Sequence, residues 1–253
     1  MAVTLEGGCR VSEMREGDPV IEGTLRVWNR IGRATGTQAI SLRVMEFAPG
    51  MSPTIINEDC DQILYVVHTD RDSCDISIDG QRFAIDSDCG IYIRPAQTFG
   101  INNRSDAPVT IISSQCPDPD QELSVVDESA NAAPESNPAS IVRLSDQKAQ
   151  PTADRWYRVI IDERVGSAQV TQFVGSIPPG RAPDHFHNYE EVLFILKGEG
   201  RMWAGETNTP IAAGSCIYLP KGQVHCVENA GVGELRLLGV FYPAGSPSVR
   251  YDA

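Results

Sequence analysis

An internal repeat is the feature of this sequence that most constrains its fold. Trp28 is repeated at Trp156, and a turn ending at Gly50 is repeated at Gly180. The runs "QILYVV" and "IYI" of the first half return as "EVLFIL" and "IYL", and all these offsets lie between 126 and 130 residues in a chain of 253. A repeat of this length indicates a duplicated domain and not a solenoid.

Each half is a series of short runs rich in β-branched and aromatic residues, separated by Gly, Pro, Asn and Asp, which is typical of β-strands and turns. The sequence therefore predicts an all-β fold of the sandwich or barrel kind. Between the halves the hydrophobic residues thin out, while Pro, Ser and Asp accumulate. We expect a first domain over residues 1–116, a linker or covering arm over 117–150, and a second domain over 151–253.

The charge of the chain excludes several classes of partner. Its net charge of -13 repels phosphate backbones and anionic lipid, so we expect neither a nucleic acid nor a membrane partner. No apolar run approaches the roughly 20 residues that span a bilayer, and the acidic start lacks a signal core, which favours a cytoplasmic protein. The seven cysteines are odd in number and form no CxxC pair, so we expect buried thiols and not a disulfide framework.

Three of the four histidines lie in the second half of the chain; the fourth is His68. Alternate residues of an extended strand face the same side, so His185 and His187 project together, and Glu191 has the same parity. His225 follows a Pro-Lys-Gly turn that would return the chain beside them. Imidazoles and a carboxylate on one face predict a metal site.

These residues resemble the two motifs of the cupin superfamily, G(X)5HXH(X)3-4E(X)6G and G(X)5PXG(X)2H(X)3N. The first is matched by Gly180, His185, His187, Glu191 and Gly198, with four residues where the motif has five after the first glycine. The second is matched at every spacing by Gly214, Pro220, Gly222, His225 and Asn229. The resemblance covers residues 156–245, and the first half weakly through the repeat. It implies two tandem cupin (RmlC-like) jelly-roll barrels, with the metal motif only in the C-terminal one.

The resemblance also implies a cofactor, namely one divalent transition metal held by His185, His187, Glu191 and His225. Such a centre keeps open positions for water, substrate or dioxygen. Three imidazoles and one carboxylate suit Fe, Mn, Ni, Co, Cu or Zn. Iron or manganese is favoured because labile waters on these ions support catalysis.

The first half lacks these ligands. Aligned on the repeated turns, it has Ile55, Asn57 and Asp61 at the positions of the first three ligands and Phe99 at the fourth. An amide and one carboxylate do not hold a transition metal tightly without imidazole or thiolate partners. We expect a degenerate cupin half that stabilises the second or shapes its pocket.

Five further residues are candidates for the pocket of the second half. They are Gln172, Arg181, Tyr189, Trp203 and Phe241. The aromatic side chains suit a substrate pocket or a barrel core equally, and a one-residue change of strand register would turn Gln172 and Trp203 outward. Arg181 suits an anionic substrate or the solvent. Glu190 has the opposite parity from Glu191 and is predicted to lie on the surface.

The leading functional hypothesis is a metal-dependent bicupin enzyme that acts on a small oxygenated organic metabolite as a non-haem dioxygenase or other oxidoreductase. A metal-dependent isomerase, cyclase, decarboxylase or lyase would use the same ion as a Lewis acid. A third alternative is a non-catalytic cupin that binds a small molecule around a structural metal. No catalytic residue is assigned beyond the metal centre, and a homodimer formed through sheet edges is compatible with the pattern.

Overall fold

The computed structural model describes residues 1–69, 72–126, 140–152, 154–249 and 251–252, which form β-strands joined by turns and four short 3-10 helices. The 3-10 helices are Glu6–Gly8, Arg33–Thr35, Leu144–Asp146 and Glu163–Val165. The strands are β1 (Val3–Thr4), β2 (Arg10–Glu13), β3 (Val20–Glu22), β4 (Leu25–Ile31), β5 (Leu42–Phe47), β6 (Gly50–Met51), β7 (Thr54–Ile56), β8 (Asp61–His68), β9 (Cys74–Ile78), β10 (Gln81–Ala84), β11 (Cys89–Ile93), β12 (Thr98–Asn103), β13 (Val109–Cys116), β14 (Ser124–Val126), β15 (Ser140–Arg143), β16 (Gln150–Thr152), β17 (Arg155–Ile161), β18 (Thr171–Ile177), β19 (Gly180–Arg181), β20 (His185–Phe186), β21 (Glu190–Lys197), β22 (Glu199–Ala204), β23 (Thr207–Ala212), β24 (Ser215–Leu219), β25 (His225–Asn229), β26 (Leu235–Tyr242) and β27 (Tyr251–Asp252).

These strands form two pairs of antiparallel sheets. In the first unit, a seven-stranded sheet has the order β15-β11-β8-β13-β5-β4-β3, and a six-stranded sheet has the order β10-β9-β12-β7-β14 with β6 on β12. In the second unit, an eight-stranded sheet has the order β1-β2-β24-β21-β26-β18-β17-β16, and a six-stranded sheet has the order β23-β22-β25-β20-β27 with β19 on β25. The prediction of an all-β fold is confirmed.

The described residues form three hydrophobic cores. One core lies inside each unit, and the third lies between the large sheets of the two units and joins them. On β5, Leu42 and Val44 belong to the core between the units, whereas Met45 and Phe47 belong to the core of the first unit. The central strands of both large sheets are therefore buried on both faces. This double burial explains why they read as continuous apolar runs and not as alternating ones.

The strand pairing crosses the predicted domain boundaries at three places. At the N-terminus, β2 pairs with β24 of the second unit, and Leu5, Cys9 and Val11 lie in the second core. Within the predicted linker, β14 pairs with β7 and β15 pairs with β11, so both strands extend the first unit. These short strands cover sheet edges. The sequence did not reveal these strands, because a segment such as β2, "RVSE", is too short and too polar to show the alternation of apolar and polar residues that marks a strand.

Two carboxylates fasten the units to each other in equivalent ways. Glu190 accepts hydrogen bonds from the backbone N–H groups of Gln38 and Ala39 and from the Tyr218 hydroxyl, at 2.7–3.1 Å. Asp61 accepts hydrogen bonds from the Tyr92 hydroxyl and from Gln169 of the second unit, at 2.8 and 3.1 Å. The surface position predicted for Glu190 was wrong, because the outer face of β21 packs on the first unit and not on solvent.

The cysteines fit the predicted role of small buried residues. All seven are buried and free, and no helix in the described ranges is long and apolar enough to cross a membrane.

Candidate metal centre

Four polar side chains of the second unit meet at the inner faces of its two sheets. His185 on β20 lies directly opposite His225 on β25 in the strand register, and His187 follows β20. The three imidazoles each bring one ring nitrogen to within 4.8 Å of the others. Glu191, near the start of β21, places its Oε2 3.8 Å from Nε2 of His187. The structure thus brings the three histidines that the sequence singled out into one cluster and places Glu191 beside His187.

Backbone carbonyls fix the orientation of each ring. Nδ1 of His185, His187 and His225 lies 3.1, 3.1 and 2.8 Å from the carbonyl oxygens of Pro183, Val249 and Gln223, respectively. A carbonyl oxygen only accepts, so Nδ1 carries the hydrogen and Nε2 carries the lone pair. This arrangement is the one in which a metal-binding histidine is usually held.

Burial sets the protonation of the site. The pKa of His187 is lowered to about 4 and that of His225 to about 3, first by burial and then by the nearby His185. Burial raises the pKa of Glu191, which is 4% exposed, to about 8. At neutral pH these two imidazoles therefore keep their lone pairs, while the Glu191 carboxyl holds a proton that a bound cation would displace.

The four side chains line a cavity of about 120 Å³. Its walls are largely apolar and include Phe173, Leu193 and Leu237. Arg155 also lines it, and its side chain is only 16% exposed although it pairs with the exposed Asp154 at 3.1 Å. The volume corresponds to roughly four water molecules at about 30 Å³ each, so the cavity suits a small ligand.

Arg155 was missed in the sequence, although a signal for it exists. Tyr157 and Val159, which have the same parity on β17, are buried in the core of the second unit. Alternation along the strand therefore directs Arg155 inward as well. Recognising this would have required the register of β17, which the sequence alone did not define.

Three of the predicted pocket residues lie away from this cavity. Gln172 faces the first unit, where its amide donates to the Leu64 carbonyl at 3.5 Å. Trp203 lies between Met202 and Ala204, which face the core, so it points outward and donates to Glu228 at 2.7 Å.

Arg181 shares that outer face. Its guanidinium lies 4.2 Å from the centre of the Trp203 ring and pairs with Asp184 at 3.0 Å, and its side chain is 42% exposed. Strand alternation explains both outward placements.

Tyr189 and Phe241 support the site from behind. The Tyr189 ring stacks on His187 with a centroid separation of 4.6 Å, and on Phe241 with one of 4.3 Å. Neither aromatic residue is among the residues described as lining the cavity. Their role in the structure is to limit the rotation of the His187 ring.

The first unit repeats the strand geometry without the ligands. Ile55 lies opposite Phe99 as His185 lies opposite His225. Gln62 lies opposite Ile93 as Glu191 lies opposite Leu219, so Gln62 occupies the position that the sequence alignment gave to Asp61. The loop before β8 is one residue longer than its counterpart, and this insertion turns the Asp61 carboxylate to the interface between the units.

A polar network fills the corresponding interior of the first unit. The buried Asn57 and Arg43 side chains both donate to Oε1 of Gln115. Arg43 also donates to the carbonyls of Pro119 and Gln121, which holds the segment after β13 against the unit. Its pKa is lowered to about 10 by burial.

Comparison with known proteins agrees with this architecture. The family model described as "Cupin domain" matches residues 173–241. The uncharacterized protein SCO3923 of Streptomyces coelicolor is 30% identical over 105 residues, which are 41% of this chain and 96% of that protein. Auxin-binding protein 1 of Arabidopsis thaliana is 34% identical over 83 residues (29% of this chain, 42% of the relative). The oxalate-binding protein of Thermotoga maritima is 36% identical over 66 residues (25% and 54%). The chain thus spans about half the length of these last two relatives.

Solved structures show the same fold along nearly the whole chain. The oxalate decarboxylase of Lactobacillus farciminis, in a complex with formate, superposes with a TM-score of 0.74 at 15% identity. The match covers 93% of this chain and 87% of that one. The predicted fold class, two tandem jelly-roll barrels of the cupin type, is confirmed by this likeness, which at such low identity concerns the fold alone.

Proposed function

Because residues 173–241 match the cupin domain, we propose that the second unit is a metal-dependent enzyme that acts on a small carboxylic acid. One observation carries the proposal. Three histidines, each oriented through Nδ1 by a backbone carbonyl, converge within 4.8 Å at a cavity that also contains Glu191. A set of three imidazoles and one carboxylate binds divalent transition metals.

The donor set fits such an ion. Neutral His187 and His225 present their Nε2 lone pairs, and the Glu191 carboxyl is buried beside them and becomes the anionic ligand when its proton leaves. When bound, the metal supplies Lewis-acid or redox chemistry. Iron or manganese stays our first choice, with Ni, Co, Cu and Zn as alternatives.

The presence of Arg155 in the cavity favours a substrate that carries a carboxylate. It is the guanidinium among the residues described as lining the cavity, and it is mostly buried there. A guanidinium binds a carboxylate through two parallel hydrogen bonds. Phe173 and Leu237 give the cavity an apolar wall, and a lower local polarity strengthens an ion pair between Arg155 and a bound acid.

The size of the cavity and the relatives favour a decarboxylase or another lyase of small acids. About 120 Å³ admits an acid of a few non-hydrogen atoms. One relative is an oxalate-binding protein, and one structural neighbour is an oxalate decarboxylase. The second candidate is the non-haem dioxygenase, which is favoured by a donor set that also binds redox-active ions.

Turnover without oxygen consumption tests this choice. We expect protein loaded with Mn²⁺ or Fe²⁺ to release carbon dioxide from oxalate or a related small acid, with no net uptake of dioxygen in an oxygen-electrode cell. Stoichiometric oxygen uptake with both oxygen atoms incorporated into the product, and no release of hydrogen peroxide, would instead support the dioxygenase. Metal-loaded protein that binds these acids and converts none of them would leave a binding protein and contradict both enzymatic candidates.

Replacing Arg155 by glutamine is expected to raise KM for the acid about tenfold or more while metal content stays at the wild-type level. Loss of a charge-assisted hydrogen bond costs about 1.5–3 kcal/mol, which corresponds to roughly 10- to 150-fold in affinity. Steady-state kinetics and elemental analysis measure the two quantities. Arg201→Gln is the matched control, because Arg201 is exposed on β22 and pairs with Asn208. Equal KM values for both variants would show that Arg155 does not contact the substrate.

A further inference from the structure

A second cavity lies between the two units, outside the site proposed above. Its volume is about 320 Å³. The first unit contributes Asp88 and Arg143, the segment between the units contributes Ser145, and the second unit contributes Trp156, Arg158 and Arg236. A cavity with three guanidinium groups is unexpected in a chain whose net charge is -13, because the field of the whole chain repels anions.

The three arginines differ in how their charges are offset. Arg143 pairs with Asp86, and Arg236 pairs with Glu234 at 2.6 Å. For Arg158 the described parts of the chain provide no carboxylate within 4.0 Å, and its contacts are a hydrogen bond to the Leu144 carbonyl and the Trp156 ring 5.2 Å away. Arg158 therefore makes no ion pair within the described residues. The Asp88 carboxylate that lines the same cavity accepts a hydrogen bond from the Tyr65 hydroxyl at 2.7 Å, so the cavity carries three guanidinium groups against one carboxylate.

Two buried donors in this cavity also lack acceptors. The Nε atoms of Arg158 and Arg236 are both buried, and neither has a hydrogen-bond partner in the described residues. A buried polar group without a partner costs about 1–3 kcal/mol, so native proteins satisfy nearly all of them. Two such donors beside the Arg158 guanidinium make this cavity a candidate binding site for an anion.

We propose that this cavity binds a compact oxyanion, namely a phosphate group, either as the free ion or as a small phosphate monoester. A phosphate carries about 1.5 to 2 negative charges at neutral pH and three or more acceptor oxygens. Arginine presents its donors as a planar fork that matches these oxygens in pairs. Arg158 is the central contact, and Arg143 reaches the same anion from the first unit.

The position of the cavity gives this site a connection to the candidate metal centre. Trp156 lines both the cavity between the units and the cavity that contains the histidines. It also lies within 5.2 Å of the Arg158 guanidinium and 6.0 Å of that of Arg236. An anion that draws these two groups together changes the surroundings of a residue that forms a wall of the other cavity.

Titration with inorganic phosphate tests the proposal, with sodium chloride added to keep the ionic strength constant. We expect saturable 1:1 binding by calorimetry, together with a change in tryptophan emission that Trp156→Phe abolishes. Arg158→Gln should weaken binding at least about tenfold. Arg82→Gln is the matched control, because Arg82 is exposed on β10 and its loss changes the net charge equally. Arg143 is less buried than Arg158, so Arg143→Gln should fold. It should also weaken phosphate binding, and it therefore tests the site even if Arg158→Gln does not fold.

Two further measurements distinguish a free phosphate ion from an organic phosphate, and distinguish the phosphate site from the candidate metal centre. Tighter binding of glycerol phosphate than of inorganic phosphate would assign an organic phosphate, and the reverse order would assign the free ion; both support the site. His225→Ala should leave phosphate binding unchanged even if it abolishes enzymatic turnover. Absence of saturable binding, equal binding by Arg158→Gln and Arg82→Gln, or loss of binding in His225→Ala would overturn the proposal.

Discussion

Replacement of His187 by alanine is expected to reduce bound metal from about one equivalent per chain to nearly none. The alanine removes one of four ligands and also the ring on which Tyr189 stacks. Loss of a residue that only orients a metal ligand already costs about 10- to 100-fold in affinity, so loss of a ligand itself should cost at least about a hundredfold. Elemental analysis of protein purified without a metal-affinity tag, followed by metal titration, measures the effect.

His68→Ala is the matched control, since His68 is exposed on β8 of the first unit and lies outside the cluster. It should bind metal as the wild type does and show the same turnover. Wild-type metal content in His187→Ala would disprove the site, whereas loss of metal in both variants would indicate binding through surface histidines. Folding of the two variants is compared by thermal unfolding in the presence of a chelator, so that metal linkage does not enter the comparison.

The sequence predicted the convergence of His185, His187 and Glu191 from local periodicity, and that of His225 from the turn before its strand. His185 and His187 share a strand face, and Glu191 points to the same side after a short turn. His225, the residue opposite His185, could also be predicted, because the Pro-Lys-Gly turn fixes where β25 begins. Short-range geometry of this kind survives small errors in strand boundaries.

The cavity walls could not be predicted in the same way, because they depend on the register of distant strands. A one-residue change of register exchanges the two faces of a strand, which is why Gln172 lies at the interface between the units and Arg155 in the cavity. The sequence alignment of Asp61 with Glu191 failed for a related reason. A one-residue insertion before β8 places Gln62 opposite Ile93, and no pattern in the sequence marks that insertion.

The place of the N-terminal strands in the second unit could not be predicted for a third reason, namely that β24, the strand that pairs with β2, lies about 200 residues away in the sequence. Val11→Asp is expected to destabilise the protein by about 3 kcal/mol or more, because a carboxylate without a partner would replace a side chain that is 4% exposed in the core of the second unit. Equilibrium unfolding in urea should show a lower midpoint, or a separate early transition in which the second unit unfolds first.

Val3→Asp is the control that separates the effect of side-chain burial on stability from the effect of strand pairing. Val3 lies directly opposite Val11 between β1 and β2, but its side chain is exposed, so the same substitution should change stability by less than about 0.5 kcal/mol. If Val11→Asp unfolded at the wild-type urea concentration, residues 1–13 would not be part of the second unit. If instead it lowered the midpoint and released metal at the same urea concentration, the N-terminus would be shown to hold β24, and through it β21 with Glu191, in place. The chain would then complete its second unit with its first residues, which makes the two halves of the duplication dependent on each other for stability.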